Sequence, residues 1–411
     1  MSYIRRIASK LLEEAQKVGD YLIKHAFIGE NEAQWVGLKM EDDNNFRLMP
    51  MQHDLFTGAS GEILFLAYLS EAAGEEKYKV LAEKALNSLL LKVNHQPDTI
   101  RLLGLHTGWG SIVYLLTHLA HLWNRKDLVQ QVEDFYATIN FNALFEVDKL
   151  YSLVNGSAGF AMANLKFYQA FGSSKALELA KQAANYLLCE AKEYGEGLGW
   201  KIASNLALSG MAHGASGFAI VFDQLFKVTG DKKYSDTVKR LLIYEQTLFV
   251  KDQQNWQDCR EMITNQFPNQ ITCSTGWAHG APGIGLSRLA LQNSPYLDDT
   301  AIKNDLSIAY KTTLTRGFSK NHNLTMGSFG SLEFVHAYGL MNEDQASLDK
   351  SYVIATIYLN QIKSNGWNCG MPNGLLTPGL MTGITGIGYQ CLRMATPENT
   401  PSVLMAGGVI F

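Results

Sequence analysis

Nearly continuous apolar runs recur along the chain, among them EILFLAYL at 62–69, FAMANLKFY at 160–168 and FAIVFDQLF at 218–226. A segment apolar around most of its circumference predicts a helix buried on all sides. Each run is followed by a segment with a single apolar stripe. In 77–93, Leu81, Ala85 and Leu89 fall four apart, flanked by Ala82, Leu86 and Leu90, with lysines on the other face. In 231–249, Asp231 is placed to cap a helix whose stripe runs through Tyr234, Val238 and Leu241. Alternating β-branched runs are scarce. The pattern predicts helical hairpins, each with one buried and one amphipathic helix.

A glycine motif opens each buried run. Its copies begin at Gly58, Gly156, Gly214, Gly280, Gly327 and Gly383, with a looser one at Gly108-Trp109-Gly110. The first glycines are 47 to 66 residues apart, so seven similar units cover nearly the whole chain. Seven hairpins can close into a ring and leave no end to cap. Glycine at each inner helix start permits tight turns and close backbone approach. This predicts an all-α (α/α)7 barrel, a single domain over 1–411 with an N-terminal helical segment (1–50) packed on it. The helix N-termini and the loops before them would line the mouth, where function is to be sought.

Composition narrows the classes. Length alone suggests two or three domains, but the repeats argue for one. Hydrophobic residues make up 46% of 411 residues, enough for a large core, and the net charge of −4 comes with no Lys/Arg cluster. Nucleic-acid binding therefore has no electrostatic support. No apolar run fits a signal peptide or a membrane span, so the expected location is the cytoplasm. The five cysteines, Cys189, Cys259, Cys273, Cys369 and Cys391, form no CxxC pair, which argues against a disulfide framework and a Cys-rich metal site.

With these motifs in place, the chain resembles the LanC fold of lanthionine cyclases, and more closely the C-terminal cyclase domain of class II (LanM) lanthipeptide synthetases. The resemblance rests on HDLFTGASGEILFLAYL (53–69), HGASGFAIVFDQL (213–225), GWAHGAPGIGLSRLAL (276–291) and TPGLMTGITGIGYQCLRMA (377–395), with Gln34–Leu38 and Pro401–Leu404 outside them. It implies addition of a precursor-peptide Cys thiol to a dehydroalanine or dehydrobutyrine, closing a thioether ring. The partners implied are a precursor peptide and a separate dehydratase, since no dehydratase half is present. In the family a zinc ion held by three protein ligands lowers the thiol pKa. Those ligands are a Cys in a WCxGxPG motif and a Cys-His pair in a CHG motif. Here the positions hold Ala278, Thr325 and Met326, and Ser152 replaces an Asp the family often carries. The expectation is therefore no zinc cofactor.

His213 stands at the family's catalytic His position, and His279 is typical of the class II motif. Both precede an inner helix, where the helix dipole favours neutral imidazole and a base is available. Each equally suits simple capping and packing, and Pro282 fits a first helical turn. Trp109, Trp277 and Phe329 lie at the glycine motifs, fit either to hold an apolar peptide segment or to pack between hairpins. Cys273 reads as a displaced ligand, a nucleophile or an ordinary loop thiol. His106, His213, His279 and Cys273 are the residues through which a metal would otherwise converge. Three functions follow: metal-independent cyclisation, a different ring closure or peptide modification using His213 and His279, or a non-catalytic partner that binds a peptide or dehydratase.

Overall fold

The computed structural model describes residues 3–40, 45–202, 204 and 206–409. Among them the chain forms sixteen α-helices: α1 (Tyr3–His25), α2 (Ala59–Ala73), α3 (Glu76–His95), α4 (Trp109–Leu122), α5 (Lys126–Thr138), α6 (Phe141–Val147), α7 (Ser157–Phe171), α8 (Ser174–Glu190), α9 (Ala215–Thr229), α10 (Lys232–Thr247), α11 (Glu261–Gln266), α12 (Ala281–Leu291), α13 (Asp299–Arg316), α14 (Ser328–Met341), α15 (Gln345–Asn365) and α16 (Ile384–Ala395). The inner ring is α2, α4, α7, α9, α12, α14 and α16, and each is capped at its N-terminus by the first glycine of a motif. Their residues are buried almost without interruption, as in Ile63–Leu66 of α2. Outer helices α3, α5, α8, α10, α13 and α15 each pack on the inner helix before them. They bury one stripe, in α3 Leu81, Ala85 and Leu89 among others.

The seventh hairpin is assembled from both ends of the sequence. The partner of α16 is α1, which buries Ile7, Leu11, Ala15, Val18 and Leu22 and also packs on α2 and α15. The expected helical segment over 1–50 is helix only to His25. Beyond it the chain forms two antiparallel hairpins, β1 (Phe27–Ile28) with β2 (Ala33–Gln34) and β3 (Val36–Met40) with β4 (Phe46–Pro50). Two more hairpins, β5 (Lys192–Tyr194) with β6 (Gly197–Gly199) and β7 (Phe249–Val250) with β8 (Asn255–Trp256), follow α8 and α10. Each of these strands has five residues or fewer, too short to leave an alternation in the sequence.

The mouth is closed by a circle of seven backbone hydrogen bonds. The residue two before each first glycine donates its N–H to the carbonyl of its counterpart in a neighbouring unit: Phe56 to His106, His106 to Val154, Val154 to Ala212, Ala212 to Ala278, Ala278 to Thr325, Thr325 to Met381, and Met381 to Phe56, at 2.9 to 3.3 Å. The second glycine of the motif makes this possible. A Cβ on Gly159 would stand 2.0 Å from the Leu153 carbonyl oxygen, and one on Gly283 would stand 1.8 Å from that of Trp277. Any side chain there would drive the loop off the helix and break the circle.

Residues beyond α16 turn back into the ring. Val403, Leu404 and Ala406 are buried in the lumen, against α12.

Candidate active site

The residue just before each first glycine lies next to the hydrogen-bonded circle. In order these are Thr57, Thr107, Asn155, His213, His279, Met326 and Thr382. The two histidines are neighbours, with ring centroids 5.6 Å apart and planes inclined by 28°. His213 Nδ1 lies 2.9 Å from Ser152 Oγ, which also accepts the Asn155 N–H at 3.2 Å.

The loop that presents His213 is fixed from below. Glu245 is fully buried, and its Oε1 accepts the Gly210 N–H at 2.9 Å and the Ser216 N–H at 3.2 Å. Ser216 Oγ also donates to both Glu245 oxygens, and Arg288 Nη2 donates to Oε2 at 2.7 Å. Arg288 is itself buried and also bonds Asp305. A buried ion pair with its remaining donors and acceptors satisfied is rigid, and removing either partner would strand a charge. His213 therefore sits on a preorganised loop.

Two further charged residues reach the site. Asp258 is buried and accepts two hydrogen bonds from Arg260, from Nε at 2.9 Å and Nη2 at 2.7 Å, and a short one from Ser274 Oγ. Burial alone would raise the Asp258 carboxyl, but these donors hold it below the usual range. Burial lowers His213 to about 4, helped by the positive charge of Arg260. Burial also lowers His279, to about 3, with Arg260 and His213 acting the same way and Asp258 opposing them. Both imidazoles are therefore neutral near pH 7. No motif in the sequence marks Asp258 and Arg260. They lie in the longest interval between motifs, 66 residues from Gly214 to Gly280. That surplus length was the available signal.

The other expected residues are placed as follows. Trp109 is fully buried, its indole N–H bonded to the Ile100 carbonyl and its ring between Phe135 and Phe141. Phe329 is buried against His322 and Tyr358. Trp277 is buried against His106, and its indole N–H donates to the Leu404 carbonyl at 3.0 Å. All three rings thus take the packing alternative and offer no open face to a ligand. Cys273 is half-buried, and burial pushes its thiol up to about 11, the opposite of activation.

The residues at the three zinc-ligand positions implied by the resemblance do not fit a zinc ion. Ala278 has no donor. The Thr325 hydroxyl is committed to Asn323 Oδ1 at 3.2 Å. Met326 carries a thioether and is 42% exposed at the rim. Among the described residues no three His, Cys, Asp or Glu side chains are grouped to hold a metal, so His106, His213, His279 and Cys273 do not converge as a ligand set. Beside the mouth, a 420 Å³ groove is lined by Phe56, Thr57, Thr107 and Leu102 together with Leu38 and Met49 of the β3–β4 hairpin. No helix among the described residues is long and apolar enough to cross a membrane.

Comparison with known proteins agrees with the helical ring. A family model described as lanthionine synthetase C-like protein matches residues 49–405. The lacticin 481/lactococcin biosynthesis protein LcnDR2 of Lactococcus lactis subsp. lactis is 24% identical over 96% of this chain, which spans only 42% of that relative's length. Among solved structures, a nisin cyclase superposes with a TM-score of 0.61 at 18% identity, over 84% of this chain and 89% of the other. A GH76 α-mannanase of Bacteroides thetaiotaomicron reaches 0.50 at 13% identity, over 95% and 96%, sharing the helical architecture.

Proposed function

Because this chain belongs to the lanthionine synthetase C-like family, we propose that it closes thioether rings in a dehydrated precursor peptide without a metal-bound thiolate. The observation that carries this reading is the stacked His213–His279 pair beside the mouth circle, with Ser152 Oγ 2.9 Å from His213 Nδ1. The metal-free part is supported by the side chains at 278, 325 and 326.

In the reaction the peptide thiol S–H breaks, S–Cβ forms, the Cα=Cβ π bond is consumed and Cα–H forms. No oxidant or co-reactant is needed. His213 Nε2 accepts the thiol proton, with Nδ1–H donating to Ser152. His279 supplies an N–H toward the developing enolate, and the proton taken up by His213 is delivered to Cα, so both imidazoles end the cycle neutral. The magnitudes constrain the order of events. A thiol near 8.5 facing an imidazole near 4 makes full proton transfer uphill by about 6 kcal/mol. Stepwise thiolate formation is therefore disfavoured, and the proton must move as the S–Cβ bond forms. Positioning of the two peptide ends then supplies most of the acceleration.

A second reading, a peptide-holding protein without chemistry, is favoured by exposed apolar side chains on the loops before the inner helices: Leu102, Leu206, Met326 and Leu375. One experiment separates the two. The protein is incubated with a dehydrated, Cys-containing precursor peptide plus a chelator, and free thiol is counted by alkylation and mass spectrometry. Cyclisation above background that falls roughly 100-fold or more in His213→Ala supports catalysis. Peptide binding with no acceleration by the wild type overturns it in favour of the holding role.

A further inference from the structure

The lumen of the ring is filled by the chain itself. After α16, residues 401–409 enter between the inner helices and reverse on a compact turn. The Met405 N–H bonds the Ser402 carbonyl, the Ala406 N–H that of Val403, and the Gly407 N–H closes back on Ser402 at 2.8 Å. Ala406 takes the left-handed conformation at φ 51°, which costs a non-glycine residue about 1 kcal/mol and persists only where the surroundings impose it.

Those surroundings are three side chains from three sides of the ring. Tyr389 of α16 donates to the Pro401 carbonyl at 2.9 Å, Trp277 to Leu404 at 3.0 Å, and Tyr114 of α4 to Gly407 at 2.6 Å. Carbonyls buried in a lumen must find donors, and these three find theirs in large aromatic residues that are otherwise enclosed. Trp277 immediately precedes Ala278, a member of the mouth circle. His106, another member, stacks edge-on to Trp277 and has the Val403 backbone against its imidazole. Val403 and Leu404 therefore lie directly beneath the residues that shape the mouth.

We infer that segment 401–409 is the floor of the reaction chamber: it limits how deep a peptide enters and positions the mouth circle through Trp277 and His106. The depth limit rests on the peptide-modifying reading above; the positioning does not, and is tested without substrate. Trp277, His106 and residues 401–409 are positioning elements in this scheme and touch no reacting atom.

The test replaces Val403-Leu404-Met405-Ala406 with Gly-Ser-Gly-Ser in the full chain. Thermal melting establishes folding, and hydrogen exchange reads the Trp277 indole N–H and the amides of 278–279. At least tenfold faster exchange at both sites is expected, and, where wild type cyclises a peptide, kcat falls about tenfold with KM little changed. The conservative Leu404→Met, made alone in the otherwise wild-type chain, leaves both at their wild-type values. A folded variant with wild-type exchange at Trp277 and 278–279 overturns the inference, whatever the cyclisation assay gives. Where the replacement does not fold, Trp277→Phe removes the indole donor while keeping an aromatic ring in its place. Exchange in 401–407 then rises at least tenfold if the tie matters and is unchanged if it does not. A wild type inactive on every peptide, but with the exchange effects intact, removes the functional reading and leaves the positioning standing.

Discussion

His213 Nδ1 and Ser152 Oγ stand 2.9 Å apart although 61 residues separate them in the chain. The hydrogen-bonded mouth circle makes the meeting possible, since Val154 donates to Ala212 and so sets the two loops side by side. A carboxylate at 152 would force the proton onto Nδ1 and stabilise an imidazolium. A hydroxyl, which both donates and accepts, permits either tautomer and adds no charge. This pairing keeps His213 oriented yet weakly basic.

Substitution at 152 should therefore tune the base. Ser152→Asp places a negative charge within hydrogen-bond reach, and such a neighbour raises a pKa by about 1 to 3 units. Histidine NMR titration should show His213 moving up from about 4 toward its ordinary value, and the acid limb of any pH–rate profile moving with it. Ser152→Ala removes orientation without charge and should cost about 2- to 10-fold in rate. A His213 resonance that titrates identically in all three proteins would refute the pairing.

The hairpins, the ring and the mouth were legible because each rests on a local signal: a glycine pair, an apolar run, a stripe. Components built from distant contacts were not. Nothing in the first 25 residues marks α1 as the missing partner of α16, and nothing in Pro401–Leu404 marks a segment that fills the lumen. The strands between 27 and 50 are too short to leave an alternation. Trp109, Trp277 and Phe329 sit beside glycines, which suits an exposed lining and interhelical packing equally, and only their burial decides. His213 and His279 could be named from the motif. Asp258 and Arg260 could not, since they lie in a polar loop whose only mark is its length.

Acid should unfold the protein early. Burial holds His106 and His336 near 4 and His118 near 3, and His213 and His279 are lowered similarly. Each has a folded pKa below its unfolded value near 6.5, so the unfolded chain binds more protons between the two. Their contribution is complete above about pH 6.5 and is lost as pH falls toward 4, at up to about 1.4 kcal/mol per pH unit for each histidine. Urea melts at pH 7, 6 and 5 should show a steep fall in stability. A flat profile from pH 6.5 to 5 would contradict the burial of these imidazoles.

Glu62 has the opposite sign and tests the seam where the last hairpin meets the first. Its carboxyl accepts from the Gly379 N–H and, at 2.9 Å, from Thr385 Oγ1, and burial raises it to about 8. With the folded pKa above the unfolded one, its contribution is present below about 4.5 and is lost as pH rises through 8. Glu62→Gln mimics the protonated acid. It should melt close to wild type at pH 5 and several degrees higher at pH 9, because only the wild type must ionise a buried group. Equal melting temperatures at pH 9 would show that Glu62 does not resist ionisation.

Asp258 and Arg260 should move the candidate histidines in opposite directions. Arg260 lowers both His213 and His279, whereas Asp258 raises His279. Removing the guanidinium in Arg260→Gln should let both imidazoles rise toward 6.5. Asp258→Asn takes away the charge that favours imidazolium, and should push His279 lower while Arg260 remains. The carboxylate also ties Arg260 to Ser274, so Asp258→Asn should loosen the 258–274 region as well, visible as faster amide exchange there. Histidine titrations of the two variants, recorded beside wild type, check the signs directly. Upward movement in Arg260→Gln places both charges at the mouth and gives the pair a means of setting the proton affinity of the base. If neither variant alters either histidine, the 258–260 segment lies outside the site, and the low proton affinity of His213 and His279 comes from burial alone.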